Sequence, residues 1–531
     1  MAKNKQKNVV RRSIFMYVFA AILAGIFITL TIVTSMYSTL ISNVLDQDVT
    51  EIENEAEAIY TSDYDSYDDL KAAQEALGAK IIEEGAVLLK NNGTLPLAGD
   101  LTDVSLLGQN SVDPVYSGHG SGNVNLDEVS SLRESFENAG FTVNPDLWDF
   151  YMNGPGSDYR KEVTSVTGSG DYRVNEVPQS EYSTSVTDSF SDYNDAGIVF
   201  IGRSSGENHD LPRETVEDGI PYLRITDEEK DLLTMAEDNF DNVIVIVNSN
   251  NPMELGFLND YDVDAALWVG GFGQSGANAL GRLINGEVNP SGSLVDTYAY
   301  NSLSAPSAVN LGNYEFTNSD VHQGDNYMVY GEGIYVGYRY YETRYEDALL
   351  NQGNAGSYNY ADSVQFPFGY GLSYTSFEWS DYTVSENGDT FTLEVTVENT
   401  GDTAGKDVVQ FYMQSPYTQY DRDNGIEKPS IELVGFEKTS NLEAGESETV
   451  TLEVDKEVMK AYDSTTEASY ILDAGDYYFT AGKDAHAALN NVLLAKDSNL
   501  ASDLVASPSE DSAGNTDLVY THTINDFNTD L

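Results

Sequence analysis

Between residues 68 and 298, short apolar runs alternate with segments that have the spacing of amphipathic helices. Short, continuous apolar runs are typical of strands that are buried on both faces of a parallel sheet. Thr226 and Glu229 have the spacing of a capping box, which marks the start of a helix. Strands that alternate with helices predict an α/β layered sandwich domain with a mainly parallel sheet over residues 68–298. The runs that we assign to strands are AVLL at 86–89, VSLL at 104–107, GIVFI at 197–201, VIVIV at 243–247 and AALWV at 265–269.

From about residue 377 the hydrophobic period changes to two. Apolar and polar residues alternate from 391 to 398, directly after the turn signal Asn387-Gly388, and the alternation returns at 450–454. These patterns predict a β-sandwich over residues 373–490, similar to a fibronectin type III module.

Two further regions have weaker patterns. Residues 299–372 are rich in Tyr and Gly, and they predict a loop region around a β-prone stretch at 333–342. Residues 491–531 are rich in Ser, Asp and Asn, which predicts a polar tail or linker.

The N-terminus combines basic residues with an uncharged apolar run from 14 to about 33. A helix of ~20 apolar residues spans a ~30 Å hydrocarbon core, and basic residues stay on the cytoplasmic side. We therefore predict a cytoplasmic tip and a single-pass transmembrane helix over residues 1–37, with the bulk of the chain extracellular at the cell membrane. A cleaved signal peptide is the alternative, although its apolar run is usually shorter. Residues 38–67 are acidic and predict a solvated stalk. The basic residues are Lys3, Lys5, Lys7, Arg11 and Arg12.

The overall charge narrows the choice of partner. The sequence has 27 basic and 87 acidic residues, a formal net charge of −60. Such a field repels nucleic acid, so we expect no nucleic-acid partner, and neutral ligands such as sugars fit better. The absence of cysteine excludes disulfides, thiolate catalysis and cysteine-ligated zinc.

Two loops of the α/β region carry residues that suit binding or catalysis. Residues 203–214 (RSSGENHDLPRE) follow the run at 197–201, and ligand sites gather beyond the carboxyl ends of parallel strands. Glu207 in this loop can act as a general acid if burial raises its pKa, although spacing alone favours an incidental surface glutamate. The glycines of residues 117–125 (SGHGSGNVN), after the run at 104–107, let the backbone approach a ligand.

Neither loop has the motif of a known cofactor site. The glycines in 117–125 are not spaced as a dinucleotide fingerprint, and the sequence has no Gly-Lys-Ser/Thr phosphate loop. His119 and His209 form no ligand pattern with nearby carboxylates. We therefore expect no metal and no organic cofactor.

Nine motifs in series resemble glycoside hydrolase family 3, the β-glucosidase-like family, outside its barrel. Each motif is modest alone, but their order makes the resemblance specific, and it covers roughly residues 70–490. The motifs are EEGAVLLKNNGTLPL (83–97), VSLLGQNS (104–111), SGHGSG (117–122), IGRSSGENHDLP (201–212), VIVIVNSNNPMEL (243–255), GEVNPSGSL (286–294), YGEGIYVGYRYYE (330–342), FPFGYGLSYTSFEW (366–379) and ELVGFEKTSNLEAGES (432–447).

The resemblance implies roles for particular residues. Glu207 falls on the acid/base position of the family's sandwich domain, which favours a catalytic role over an incidental one. Ser121 falls on a serine that can face the sugar, and we assign His119 and Arg203 with it to substrate binding. Two departures stand out: Asn208 replaces the glycine usual after the glutamate, and Gln274-Ser275 stands where the family often has Gln-Glu.

The family's nucleophile is an aspartate on a (β/α)₈ barrel, and a barrel needs about 250 residues. We find no such stretch, because the segment before residue 70 is too short and only the predicted tail follows the sandwich. The family aspartate commonly lies in a Ser-Asp-Trp-like context. The Ser-Asp-Tyr strings at 62–64, 191–193 and 380–382 lie in the stalk, before a sheet strand and at the sandwich entrance, so none suits a barrel strand end.

Two functions stay open from the sequence. The first is the acid/base half of a retaining β-glucosidase-like enzyme that hydrolyses neutral β-linked oligosaccharides or glucosides, with a (β/α)₈ barrel in cis or in trans. The alternative is a non-catalytic cell-surface carbohydrate-binding or scaffold protein that lacks the nucleophile barrel.

Overall fold

A computed structural model describes eleven stretches of the chain, which form two units, Met1–Leu70 and Lys71–Leu531. The first unit contains the helix Ala2–Met36, and its segment Arg11–Ser35 is long and apolar enough to cross a membrane. Most of the predicted stalk lies outside the described residues. The described residues are 2–37, 62–97, 99, 101–118, 122, 124–161, 172–207, 211–215, 218–311, 328–509 and 513–529.

The second unit begins with a six-stranded sheet in the order β1-β6-β5-β4-β2-β3. Its neighbouring strands are parallel except for β1, which runs antiparallel to β6. Every residue of β4 and β5 is buried, which confirms the prediction of a mainly parallel sheet covered on both faces. The strands are β1 (Val87–Asn91), β2 (Asp103–Leu107), β3 (Thr142–Val143), β4 (Ala196–Arg203), β5 (Val243–Ser249) and β6 (Ala265–Trp268).

Helices connect these strands. The capping box at Thr226 is formed: its Oγ1 accepts from the Glu229 backbone N–H at 3.2 Å, and the Glu229 carboxylate accepts from the Thr226 N–H at 2.8 Å. The helix that follows therefore starts at Asp227, beyond the predicted site loop at 203–214. The helices of this domain are Tyr67–Gly85, Leu132–Asn138, Pro145–Met152, Thr184–Ser189, Asp227–Asn239, Phe257–Asp260 and Leu280–Ile284.

The described residues of the region 299–372 contain more secondary structure than the sequence predicted. The β-prone stretch at 333–342 is not a strand, because Tyr338–Leu349 is a helix whose Tyr341, Glu342, Tyr345 and Glu346 are buried on one face. Packing of that face outweighs the local preference of tyrosine for strands. The other elements here are the helices Pro306–Asn310 and Tyr360–Ser363 and the antiparallel strands β7 (Tyr298–Ala299) and β8 (Val364–Phe366).

A β-sandwich follows, as predicted. Three strands pair in the order β13-β10-β9 and four in the order β12-β11-β16-β17, and a hairpin is formed by β14 and β15. Alternate residues of β10, from Phe391 to Val397, are fully buried and face the core between the sheets. The strands are β9 (Phe377–Asn387), β10 (Thr390–Asn399), β11 (Val408–Gln414), β12 (Glu432–Lys438), β13 (Ser447–Asp455), β14 (Ala461–Asp463), β15 (Ser469–Ile471), β16 (Gly475–Gly482) and β17 (Val519–Ile524).

The prediction of a tail at 491–531 is wrong for its described part. The helix Ala485–Lys496 is buried along most of its length, and β17 pairs with β16 as the last strand of the four-stranded sheet. Leu518, at the entrance to β17, is buried. The polar composition was misleading because β17 lies at a sheet edge, where threonines can face solvent while Tyr520 and Ile524 pack on the core. A short helix, Gln419–Asn424, completes the elements of the sandwich.

Candidate active site at the carboxyl edge of the parallel sheet

The loops that follow β2, β5 and β6 are tied together at the carboxyl edge of the sheet. Asn248, fully buried near the end of β5, accepts the Val115 N–H at 2.5 Å and donates to the carbonyls of Val115, at 3.1 Å, and of Gly270. The Phe272 N–H also donates to the Val115 carbonyl, at 3.1 Å. These loops are therefore held in fixed positions relative to one another.

The loop after β2 also lies against the loop after β4. A Cβ atom at Gly118 would be 2.7 Å from the Ser205 carbonyl oxygen and 3.4 Å from the Gly206 Cα, so only glycine allows this approach. Ser205 and Gly206 directly precede Glu207. The structure thus brings the two predicted site loops together at the candidate acid/base residue.

Glu207 lies in a turn beyond the end of β4, and its side chain is exposed to solvent. The other predicted contributors from the glycine-rich loop, His119 and Ser121, lie outside the described residues, as does Asn208. At the second departure from the family, Ser275 is buried and its hydroxyl donates to the Glu75 carbonyl at 3.0 Å. That departure therefore concerns the packing of the helix Tyr67–Gly85.

Arg203 does not have the surface position that its assignment to substrate binding requires. Its side chain is fully buried and forms a bidentate ion pair with Glu229, with both N–O distances at 2.7 Å. The remaining N–H groups of the guanidinium donate to backbone carbonyls. Because its side chain is buried and its donors are used in these contacts, Arg203 supports the site from the interior and offers no surface to a sugar.

Comparison of the sequence with known protein families identifies both domains of the second unit. The profile of the glycosyl hydrolase family 3 C-terminal domain matches residues 86–338, and that of a fibronectin type III-like domain matches residues 407–485. The chain contains the C-terminal domain of glycosyl hydrolase family 3. The match spans β1 to β7 and includes both loops at the candidate site.

The relatives of this family 3 domain are larger proteins. The chain is 34% identical over 420 residues to a β-glucosidase of Ruminococcus albus, covering 77% of the chain and 39% of the relative. It is 31% identical over 442 residues to β-glucosidase A of Butyrivibrio fibrisolvens, covering 75% of the chain and 48% of the relative. The chain therefore spans half or less of the length of these two curated relatives.

Solved structures agree with the fold. β-Glucosidase 3B of Thermotoga neapolitana, solved with glucose, superposes with a TM-score of 0.64 at 26% identity over 87% of this chain and 55% of that one. A β-glucosidase of Paenibacillus barengoltzii gives 0.62 at 30% identity over 77% of this chain and 42% of that one.

Sequence reasoning missed two residues that organise the edge of the family 3 domain. Asn248 ends the apolar run at 243–247, and a polar residue at the end of a buried strand was the available signal. Glu176 is buried and accepts the N–H groups of Gln109 and Val177, each at 2.9 Å. Burial raises the pKa of Glu176 to about 8, although these backbone N–H groups favour its charged form. No pattern in the sequence marks Glu176, because its partners are backbone groups.

The described residues contain no group of three or more His, Cys, Asp or Glu side chains placed to hold a metal ion. What the edge offers instead is a carboxyl group, backbone groups of glycine-rich loops and hydroxyl side chains. Groups of these kinds hydrogen-bond to sugar hydroxyls and transfer protons.

Proposed function

We propose that this chain supplies the acid/base half of a retaining β-glucosidase-like enzyme that hydrolyses neutral β-linked oligosaccharides or glucosides. The observation that carries the proposal is the place of Glu207, in an exposed turn beyond β4 and next to the glycine-rich loop after β2. The family 3 domain and the relatives named β-glucosidases support it.

Retaining hydrolysis uses two carboxyl groups roughly 5–5.5 Å apart. In the proposed mechanism, Glu207 first donates a proton to the departing sugar oxygen while a second carboxylate attacks the anomeric carbon. Glu207 then accepts a proton from the water that releases the glycosyl-enzyme. The nucleophile would come from a (β/α)₈ barrel, in cis or in trans, and we propose that His119 and Ser121 hydrogen-bond to the sugar.

The surface beside the Glu207 loop supports the proposal that a barrel domain covers this site. Arg213, from the same loop, donates to the backbone carbonyls of Ala308 and Leu311 and so holds the segment at 306–311 against it. Asn310 in turn donates to Glu332 at 2.8 Å, which links the segment at 328–336. Exposed apolar surface of this kind marks interaction sites, and burial beneath a barrel would raise the pKa of a general acid. The exposed apolar side chains of the two segments are Val309, Leu311, Met328, Val329, Tyr330 and Val336.

The decisive experiment compares leaving groups in an enzyme assembled from this chain and the nucleophile-bearing barrel. Loss of a general acid–base group typically costs ~10²–10⁴-fold, so Glu207→Ala should lower turnover of a natural β-linked disaccharide by about that factor. A dinitrophenyl glycoside needs little protonation of its leaving group, so its first step should be nearly unchanged. Azide should then restore turnover, since it attacks the glycosyl-enzyme without base catalysis.

Glu214→Ala is the matched control, because Glu214 is an exposed glutamate of the same loop with no assigned role. Equal losses with good and poor leaving groups, and no azide rescue, would show that Glu207 is not the acid/base group. We also expect the chain alone not to hydrolyse aryl β-glucosides above background. If the chain alone binds glycans, and the chain assembled with the barrel hydrolyses none, the non-catalytic scaffold is favoured.

We further propose that the helix Ala2–Met36 anchors the protein in the cell membrane as a single pass, with the bulk of the chain outside. Its apolar segment and the basic residues before it support this orientation. Protease treatment of intact cells should remove the bulk of the protein while a cytoplasmic marker survives. Protection of both proteins would contradict the orientation.

A further inference from the structure

The guanidinium of Arg203 has all five of its N–H donors in use. Two of them form the ion pair with Glu229, and Nε donates to the Tyr222 carbonyl at 2.6 Å. The last two donate to the carbonyls of Gly202, at 2.8 Å, and Arg224, at 2.7 Å. Only the planar five-donor fork of arginine can satisfy this set, since lysine carries three donors on one nitrogen.

These acceptors lie at both ends of the segment that carries Glu207. Gly202 belongs to β4, from which the segment departs, whereas Tyr222 and Arg224 lie where it returns. Glu229 lies in the first turn of the helix Asp227–Asn239 that follows. The guanidinium therefore joins the start of the segment, its end and the next helix.

Tyr222 reinforces the same closure. Its hydroxyl accepts from the Ser204 N–H at 3.3 Å and donates to the Ser204 carbonyl at 3.1 Å. Its ring lies beside the guanidinium, with 5.6 Å between Arg203 Cζ and the ring centroid. Ser204 is thus fixed three positions before Glu207, on the same stretch that packs against Gly118.

We propose that Arg203 and Glu229 are positioning residues for Glu207, since their ion pair holds together the two ends of its loop. This inference rests on the proposed function, because it assigns the pair a purpose in acid/base catalysis. Stability alone does not explain a buried ion pair, because well-packed apolar residues of similar volume often stabilise the folded state equally well. What apolar residues cannot provide is the set of donors that fixes three backbone carbonyls around the loop.

The first test is independent of catalysis. In the full chain, Arg203→Lys should speed amide hydrogen exchange at Ser204, Thr215 and Tyr222 at least tenfold, and leave the amides of β5 unchanged. Arg224→Lys is the matched control, because the Arg224 side chain is half-exposed and pairs with Glu254 while its carbonyl still accepts from Arg203. Unchanged exchange at the three amides, or equal acceleration in β5, would overturn the positioning role. If Arg203→Lys does not fold, Glu229→Gln replaces it, since it removes the charge of the acceptor and keeps its shape.

The second test uses the chain assembled with the nucleophile-bearing barrel. Misplacement of a reacting group by about 1 Å can cost ~10²-fold, so Arg203→Lys should lower kcat for a natural disaccharide by about 10–100-fold with little change in KM. The first step with the dinitrophenyl glycoside should be nearly unaffected, as for Glu207→Ala. If Glu207→Ala shows the leaving-group dependence and Arg203→Lys lowers both substrates equally, the positioning role fails and the proposed function stands. If Glu207→Ala shows no such dependence, the proposed function fails, and the catalytic purpose of the ion pair fails with it.

Discussion

Two buried ion pairs in the second unit differ in their access to solvent: one lies next to an exposed turn and the other is enclosed by protein. Arg203–Glu229 and His486–Glu342 each join fully buried side chains, at 2.7 and 2.8 Å. The first pair adjoins the exposed turn that carries Glu207, four residues after Arg203. The second pair is closed in by protein, since His486 Nε2 hydrogen-bonds to the Val505 carbonyl at 2.9 Å and its ring stacks on Tyr360 at 3.7 Å.

The difference separates the edge that we propose as catalytic from a closed flank, the region around His486 and Glu342. Burial alone would lower the pKa of His486, but the Glu342 carboxylate outweighs it and holds the pKa above its ordinary value. A shifted pKa is often taken as a sign of an active site. Here the shifted histidine is covered on both ring nitrogens, whereas the carboxyl that we propose as catalytic is exposed. Access for a substrate therefore distinguishes the two regions better than the size of a pKa shift.

The largest expected effect on stability lies on the closed flank. Glu342→Gln keeps the shape of the side chain but leaves the buried imidazolium without its counter-charge. Removal of one partner from a buried pair costs about 3–5 kcal/mol, which urea denaturation of the variant and the parent should show. The acid/base chemistry of the assembled enzyme should be unchanged at temperatures where the variant is folded.

Glu386→Gln is the control for this substitution. Glu386 also pairs with a histidine, His522, at 3.1 Å, but the glutamate is 41% exposed. Exposed pairs contribute about 0–1 kcal/mol, so this change should be small. The distinction between flank and edge would fail if both substitutions lowered the free energy of unfolding equally. It would also fail if Glu342→Gln changed how the assembled enzyme responds to good and poor leaving groups.

The same contrast shows what a sequence can predict. The continuous apolar runs of β4 and β5 predicted a doubly covered sheet, and the motif around Glu207 predicted its place beyond β4. The buried side chains of the helix Tyr338–Leu349 could not be predicted in the same way, because His486, the partner of Glu342, is 144 residues away. Arg203 was misassigned for a related reason: its ion-pair partner and two of its backbone acceptors are brought to it by the return of the loop.

A smaller effect is the pH dependence of the flank. The folded-state pKa of His486 lies above the unfolded value of about 6.5, so its stabilising contribution is complete below that value and is lost as the pH rises through the folded pKa. In Glu342→Gln, burial is opposed only by the weaker effects of Asp484 and the Val505 carbonyl and should lower the pKa of His486, so the variant should gain stability as the pH rises towards about 6.5. The difference in unfolding free energy between parent and variant should therefore narrow from pH 5 to pH 9. A constant difference would show that His486 is not charged in the folded protein.

An effect on stability smaller than that of Glu342→Gln is expected at the edge, at the contact between its two loops. Gly118→Ala would place a Cβ 2.7 Å from the Ser205 carbonyl oxygen, and backbone at that distance must shift. Overpacking typically costs about 1–3 kcal/mol, and we expect the lower end because these loops can move apart more easily than a core. The displaced stretch leads directly into Glu207. Turnover of a natural disaccharide by the assembled enzyme should therefore fall more than the stability change suggests, whereas turnover of a dinitrophenyl glycoside should be less affected.

Gly122→Ala is the matched control from the same glycine-rich loop, because no heavy atom lies within 4 Å of its Cβ position. If the two alanine variants behaved alike in turnover and in thermal unfolding, the contact between the loops would not position Glu207.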